Sequence, residues 1–165
     1  MLETVLHFLK GLPVEAVTVI IATLPIFELR GAIPWAHAAT ELPWQTIYLY
    51  AVLGNFLPVL PLLYFLEPVS NWLRRFRLFD RFFEWLFTRT RKRGKMIERY
   101  EAVGLILFVG IPLPVTGAWT GTVAAFIFGI SKKWSIPCIL AGILLSGAVV
   151  TLVVLGGSSL FHIVK

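Results

Sequence analysis

The chain has 165 residues, of which 58% are hydrophobic and 15% charged, and its mean hydropathy is +0.82. That is more apolar side chain than a soluble core of this size can hide, so the composition predicts an integral membrane protein of one domain, residues 1–165. The net charge of +6 is concentrated in one central block, which points to membrane lipid and away from nucleic acid, and the lone Cys138 excludes an internal disulfide and a cysteine-based metal site.

No small-residue cleavage site follows a basic N-terminal region, so no removable signal peptide is expected. Leu2, Val5, Leu6 and Leu9 recur at helical spacing opposite Glu3, His7 and Lys10, predicting a short interfacial helix that ends near Gly11. Pro13 suits a helix start, and Val14 to Ile26 is then nearly all apolar. That run rises about 20 Å at ~1.5 Å per residue, enough to reach mid-bilayer and too little to cross ~30 Å. Pro25 loosens its end. Phe27 to Pro34 then brings together an acid, a base, a glycine and a proline, after which Trp35 to Ala39 is again small and apolar. Glu41-Leu42-Pro43-Trp44 reads as an interface with an aromatic anchor.

Gln45 to Leu66 is long enough to span, with a kink expected near its centre from Gly54, Asn55, Pro58 and Pro61. Asn55 at that depth calls for a hydrogen-bonding partner. Residues 69–99 read as a basic amphipathic helix lying on the membrane. Trp72, Phe76, Phe79, Phe83 and Leu86 follow a 4-3-4-3 spacing, and Arg74, Arg75, Arg77, Arg81 and Glu84 take other faces. With the cluster Arg89 to Lys95, the block from Arg74 to Arg99 marks the cytoplasmic side of an inner-membrane, multi-pass protein; recognition of anionic lipid is the alternative role.

Tyr100 to Ile130 is a second broken segment. Its centre, Gly110 to Gly121, is a poor helix interior, with Pro112, Pro114, Thr116, Gly117 and Thr120 between apolar flanks. Irregular backbone at membrane depth survives only where protein buries it or where it lines a wet cavity. Ser131-Lys132-Lys133-Trp134 is a basic, aromatic interface, Ile136 to Leu155 spans with Gly142, Ser146 and Gly147 as close-packing residues, and Gly156 to Ser159 ends the span.

The halves share a plan: a broken segment, an interface, then a spanning segment, over residues 12–67 and 100–157. The predicted fold is therefore all-α, with two re-entrant helical hairpins in inverted repeat, each followed by a spanning helix, plus amphipathic interfacial helices; paired breaks of this kind point to a binding site. Four complete crossings are the alternative, and charge asymmetry separates the two poorly. The acid, base, prolines and glycines of the breaks favour turns over lipid-facing helices.

Glu28 and Arg30 are the foremost site candidates, because charge inside a membrane is costly and is usually paired and used. A pair that only fixes the turn is the plainer reading. Arg30 offers a forked donor set matched to phosphate or carboxylate, and a desolvated Glu28 could couple a proton. Pro34 and Pro114 stand near the starts of the returning half-helices, whose free N–H groups favour an anion. Thr116 can cap the second half-helix and Thr120 can add a hydroxyl; Trp119 packs or stacks, and Gly117 and Gly121 let the hairpins approach. The substrate-binding set is then Arg30, Asn55, Thr116, Gly117, Trp119 and Thr120, with Gly31, Pro34, Pro112, Pro114 and Gly121 forming turns. His7, His37 and His162 lack ligand spacing, and neither a nucleophile elbow nor a phosphate-binding loop is present, so no metal, no cofactor and no enzymatic activity are expected.

Glu28-Leu29-Arg30-Gly31-Ala32-Ile33-Pro34, Gly54-Asn55 with Pro58, the run Leu105 to Pro114 and Thr116-Gly117-Ala118-Trp119-Thr120-Gly121 resemble the small multidrug export protein family, which is similar in turn to the wider DedA-like membrane proteins. Val115 departs from the pattern, where glycine is expected, and the second break lacks the arginines of the DedA pattern. The resemblance implies two re-entrant hairpins from opposite faces, proton-coupled transport, and translocation of polyprenyl phosphate or phospholipid. Three readings stay open: a carrier of a lipid-linked phosphate, an exporter of small amphipathic or cationic compounds using Glu28, and a non-transporting scaffold. Four membrane elements make a thin wall, so a homodimer is a further expectation.

Overall fold

The computed structural model describes residues 12–73, 75–76, 80, 95–113 and 116–163. The predicted N-terminal interfacial helix, most of the basic amphipathic helix, and Pro114 with Val115 lie outside the described residues. Within them the chain is helical, with no strand: α1 (Val14–Thr23), α2 (Glu28–Ala39), α3 (Trp44–Phe56), α4 (Val59–Leu73), α5 (Lys95–Gly110), α6 (Ala118–Ile127) and α7 (Lys132–Ile163).

Prolines set several of these boundaries. Leu24 precedes Pro25, a position where the helical conformation is disfavoured; Leu24 is extended at ψ 133°, and α1 stops at Thr23. The chain turns over Leu24 to Phe27 and re-enters helix at Glu28, whose N–H donates to the Leu24 carbonyl at 3.0 Å. The first break therefore lies earlier than the sequence reading puts it. Gly31 and Pro34, expected to form the turn, sit inside α2. Pro25 has already made the turn, and Pro34 removes only the single N–H that would reach the Arg30 carbonyl. Gly31 serves by its size, since a Cβ there would lie 2.8 Å from the Phe27 Cβ.

The first long stretch is interrupted at Leu57-Pro58, as the kink prediction requires, and is then longer than expected. It runs from Trp44 to Trp72, 29 residues, so that Val69 to Leu73, where the sequence reading begins the basic amphipathic helix, continue α4. Val59, Leu63 and Ser70 hold one buried face along it. Pro58 has no N–H for the Gly54 carbonyl four residues earlier, and the Thr23 hydroxyl reaches that carbonyl instead at 2.9 Å, shared with its own Val19 carbonyl at 2.8 Å.

The second long stretch also outruns its prediction. Helix α7 has 32 residues and passes through Gly156 to Ser159 without stopping. Glycine lowers helix stability by about 1 kcal/mol per residue but ends a helix only when it takes a left-handed turn, and neither Gly156 nor Gly157 has positive φ.

Helix α7 is the central element. It packs most extensively on α5 and also meets α2, α3 and α6, while α1 lies on α2 and α3, and α4 lies on α6. Ile139 and Ile143 of α7, Val109 of α5, Ile47 of α3 and Leu29 of α2 are buried at the centre of this bundle. The approach of α5 to α7 uses Gly142, where a Cβ would lie 2.6 Å from that of Val109. Lipid gives helices no hydrophobic drive to associate, so such small-residue contacts carry the packing. The outward faces are as apolar as the inward ones: Leu152 is 71% exposed and Phe65 66%. Trp44–Trp72 and Lys132–Gly157 are the stretches long and apolar enough to cross a membrane, and less than half of each is buried inside the bundle. Helices apolar on all sides and uncovered on one belong in lipid.

Candidate functional site

The two interrupted segments meet at their breaks. The Arg30 guanidinium reaches out of α2 to the loop between α5 and α6, where its Nη1 donates to the Leu113 carbonyl and its Nη2 to the Thr116 carbonyl at 2.9 Å. These carbonyls are available because Pro112 and the loop conformation leave the segment without a helical ladder. Nη2 also lies 3.3 Å from Glu28 Oε2. The acid is the buried partner, with 6% of its side chain exposed against 26% for Arg30.

Glu28 is placed by an unusual backbone. Its φ is +46°, a left-handed value that costs a residue with a Cβ. From there the carboxylate crosses to the start of α6. The Trp119 N–H points at Oε1 at 3.5 Å, and the Ala118 N–H also faces the carboxylate. Gly117 precedes α6 as its N-cap, with φ 152° and ψ −166° and no capping bond of its own from a side chain. The carboxylate of another helix fills that role, compensating the free N–H groups and the positive end of the helix dipole. Thr116, expected as the cap, closes the loop instead: its hydroxyl lies 2.9 Å from both the Ile111 and Leu113 carbonyls and accepts from the Leu113 N–H at 3.2 Å.

Beside this junction is a cavity of about 640 Å³, lined by Glu28, Arg30, Gly31, Thr116, Trp119 and Thr120 together with Pro25, Ile26 and Phe27. Trp119 forms part of the wall and is fixed by its indole N–H, which donates to the Thr23 carbonyl at 3.0 Å. The Thr120 hydroxyl leans back toward the Gly117 carbonyl at 3.4 Å.

Of the residues named from sequence, Glu28, Arg30, Thr116, Gly117, Trp119 and Thr120 converge here. Asn55 does not line the cavity. It is buried in α3, and its Oδ1 has no hydrogen-bond partner among the described residues. Gly121 lies within α6 and packs on Val109, so it tightens α6 against α5 and neither forms a turn nor brings the two pairs together. Pro112 is in the loop. Sequence reasoning missed Thr23, Phe27 and the Leu113 carbonyl. Thr23 carried a legible signal, a hydroxyl closing an apolar run two residues before a proline. The role of Leu113 is played by backbone and leaves no trace in its residue type.

Fold and site together define an all-helical membrane protein with a charged, mostly buried junction between two interrupted segments. A family model described as "Putative small multi-drug export protein" matches residues 28–149, about three quarters of the chain. The protein belongs to this family. No curated protein and no solved structure matches the chain.

Proposed function

We propose that the protein is a proton-coupled carrier of a lipid-linked phosphate, of the polyprenyl phosphate or phospholipid class, that works without covalent chemistry. The observation that carries this reading is the convergence of the Arg30 guanidinium and the α6 N-terminus on one carboxylate. Those are the donors that recognise phosphate, and the cavity beside them has Ile26, Phe27 and Trp119 to receive a hydrocarbon tail. Glu28 is the proton-carrying group.

Two re-entrant pairs in inverted arrangement complete the reading. Helices α1 and α2, with 10 and 12 residues, rise about 15 and 18 Å, each short of a ~30 Å core. Lys132, at the start of α7, lies 2.9 Å from Glu67, near the end of α4. Between those points the chain passes through α5 and α6, so the pair supports entry and exit of that segment on one face. His37 of α2, Trp44 of α3 and Leu155 of α7 border one small cavity, which supports return of α1–α2 to the opposite face. The basic block, next to Glu67 in sequence, then faces the cytoplasm.

The aromatic walls beside Glu28 favour a second reading, export of amphipathic cations with Glu28 as the cation site. Proteoliposomes separate the two. Flipping of a labelled polyprenyl phosphate should collapse in Arg30→Ala and in Glu28→Gln, and normal flipping in both would overturn the phosphate reading. Efflux of a lipophilic cation that needs Glu28 and survives Arg30→Ala would establish the second.

A further inference from the structure

We infer that the Glu28 carboxylate is a tethered competitor for the carrier's own site: it holds the donors that the substrate's anionic group needs, so loading the anion releases Glu28 and unloading restores it. This rests on the carrier reading above and adds how that site is regulated.

The carboxylate straddles two donor sets. Oε2 faces Arg30 at 3.3 Å and Oε1 faces the Trp119 N–H at 3.5 Å. Both are long beside the ~2.7–2.9 Å of a well-seated charge-assisted bond. A phosphate, with three oxygens on one centre, can approach both sets closely. The two anions compete for the place, because both need the same donors, the Arg30 guanidinium and the Trp119 N–H, and two negative charges side by side in apolar surroundings repel.

The backbone supplies a reason for Glu28 to leave. Among the described residues, Glu28 is the non-glycine residue with positive φ, and it stands at the first position of α2, directly after the Leu24–Phe27 turn. Strain of this kind persists where surrounding contacts hold it. Here the holding contacts are Arg30 and α6, the same groups that an incoming anion would engage. Return to negative φ relieves the strain and swings the carboxylate off α6. Leaving Arg30 and the α6 N–H groups within apolar surroundings, the carboxylate takes a proton, because an unpaired charge there is costly. Of the described residues lining the cavity, Glu28 and Arg30 are the ionisable ones, so the proton comes from solution. One anion loaded then corresponds to one proton bound.

The test is binding of farnesyl phosphate to the purified full chain in detergent at pH 7.5, with folding checked by gel filtration and thermal unfolding. Glu28→Gln and Glu28→Ala should each bind at least tenfold more tightly than wild type, and adding Arg30→Ala to either should remove the gain. In weakly buffered solution, wild type should take up about one more proton per ligand bound than Glu28→Gln; the ligand's own titration cancels in that comparison. If wild type binds and both Glu28 variants bind equally or more weakly, the competitor is overturned while the site stands. If no variant binds, the carrier reading falls with it.

Discussion

A Cβ on Gly117 would stand 2.5 Å from the carboxyl carbon of Glu28, and Gly117 holds φ 152° and ψ −166°, a region open essentially to glycine. The two interrupted segments are thus joined at a point where one of them can carry no side chain. Gly117→Ala should lower stability by about 1–3 kcal/mol through backbone strain, with steric displacement of Glu28 added to it. Gly156→Ala is the control. Among the described residues nothing lies within 4 Å of its added carbon, and the change should raise helix stability by up to about 1 kcal/mol. Chemical unfolding in detergent reads both, and equal effects would contradict the steric argument.

The Glu67–Lys132 pair leads to a topological prediction. Single cysteines at Glu41, Arg91 and Ser131, placed in a Cys138→Ala background, are labelled from either side of sealed vesicles. Ser131→Cys should react from the same side as Arg91→Cys, and Glu41→Cys from the other. Reaction of positions 131 and 91 from opposite sides would mean that α5 and α6 form a complete crossing.

The bond from Thr23 to the Gly54 carbonyl replaces the N–H that Pro58 lacks. Thr23→Val keeps the shape and leaves that carbonyl unsatisfied, at a cost of about 1–3 kcal/mol. In a Pro58→Ala background the restored N–H can reach Gly54, and the same substitution should cost much less. Unfolding of the four variants forms a double-mutant cycle, and simple additivity would show that the hydroxyl does not substitute for the missing donor.

Asn55 poses the opposite case. Its Oδ1 is buried without a partner among the described residues, a loss of about 1–3 kcal/mol that an apolar side chain of similar size avoids. Asn55→Leu should therefore be neutral or stabilising in thermal unfolding. A marked loss of stability would mean that the amide has a role in packing that its bonds do not reveal.

Much of the fold was legible because it depends on local physics. Apolar runs, proline positions and the clustering of charge predict the two long stretches, the kink at Pro58 and an interruption within Gly110 to Gly121. The misplaced helix boundaries share one cause. Residue type alone makes Gly31 and Pro34 turn formers and Gly156 and Gly157 a helix end, whereas helices tolerate a single lost bond or a flexible residue when their neighbours hold them in place.

By itself the sequence determined that the chain is a helical membrane protein with two interrupted segments, and that its unusual charges, Glu28 and Arg30, lie in the first of them. Tertiary structure alone decided what those charges do. Arg30 is spent partly on the backbone carbonyls of Leu113 and Thr116, and Glu28 caps α6, a helix that begins about ninety residues further along the chain. Partners of that kind are main-chain groups, identical in every residue, so only the path of the folded chain selects which carbonyl or N–H meets a given side chain.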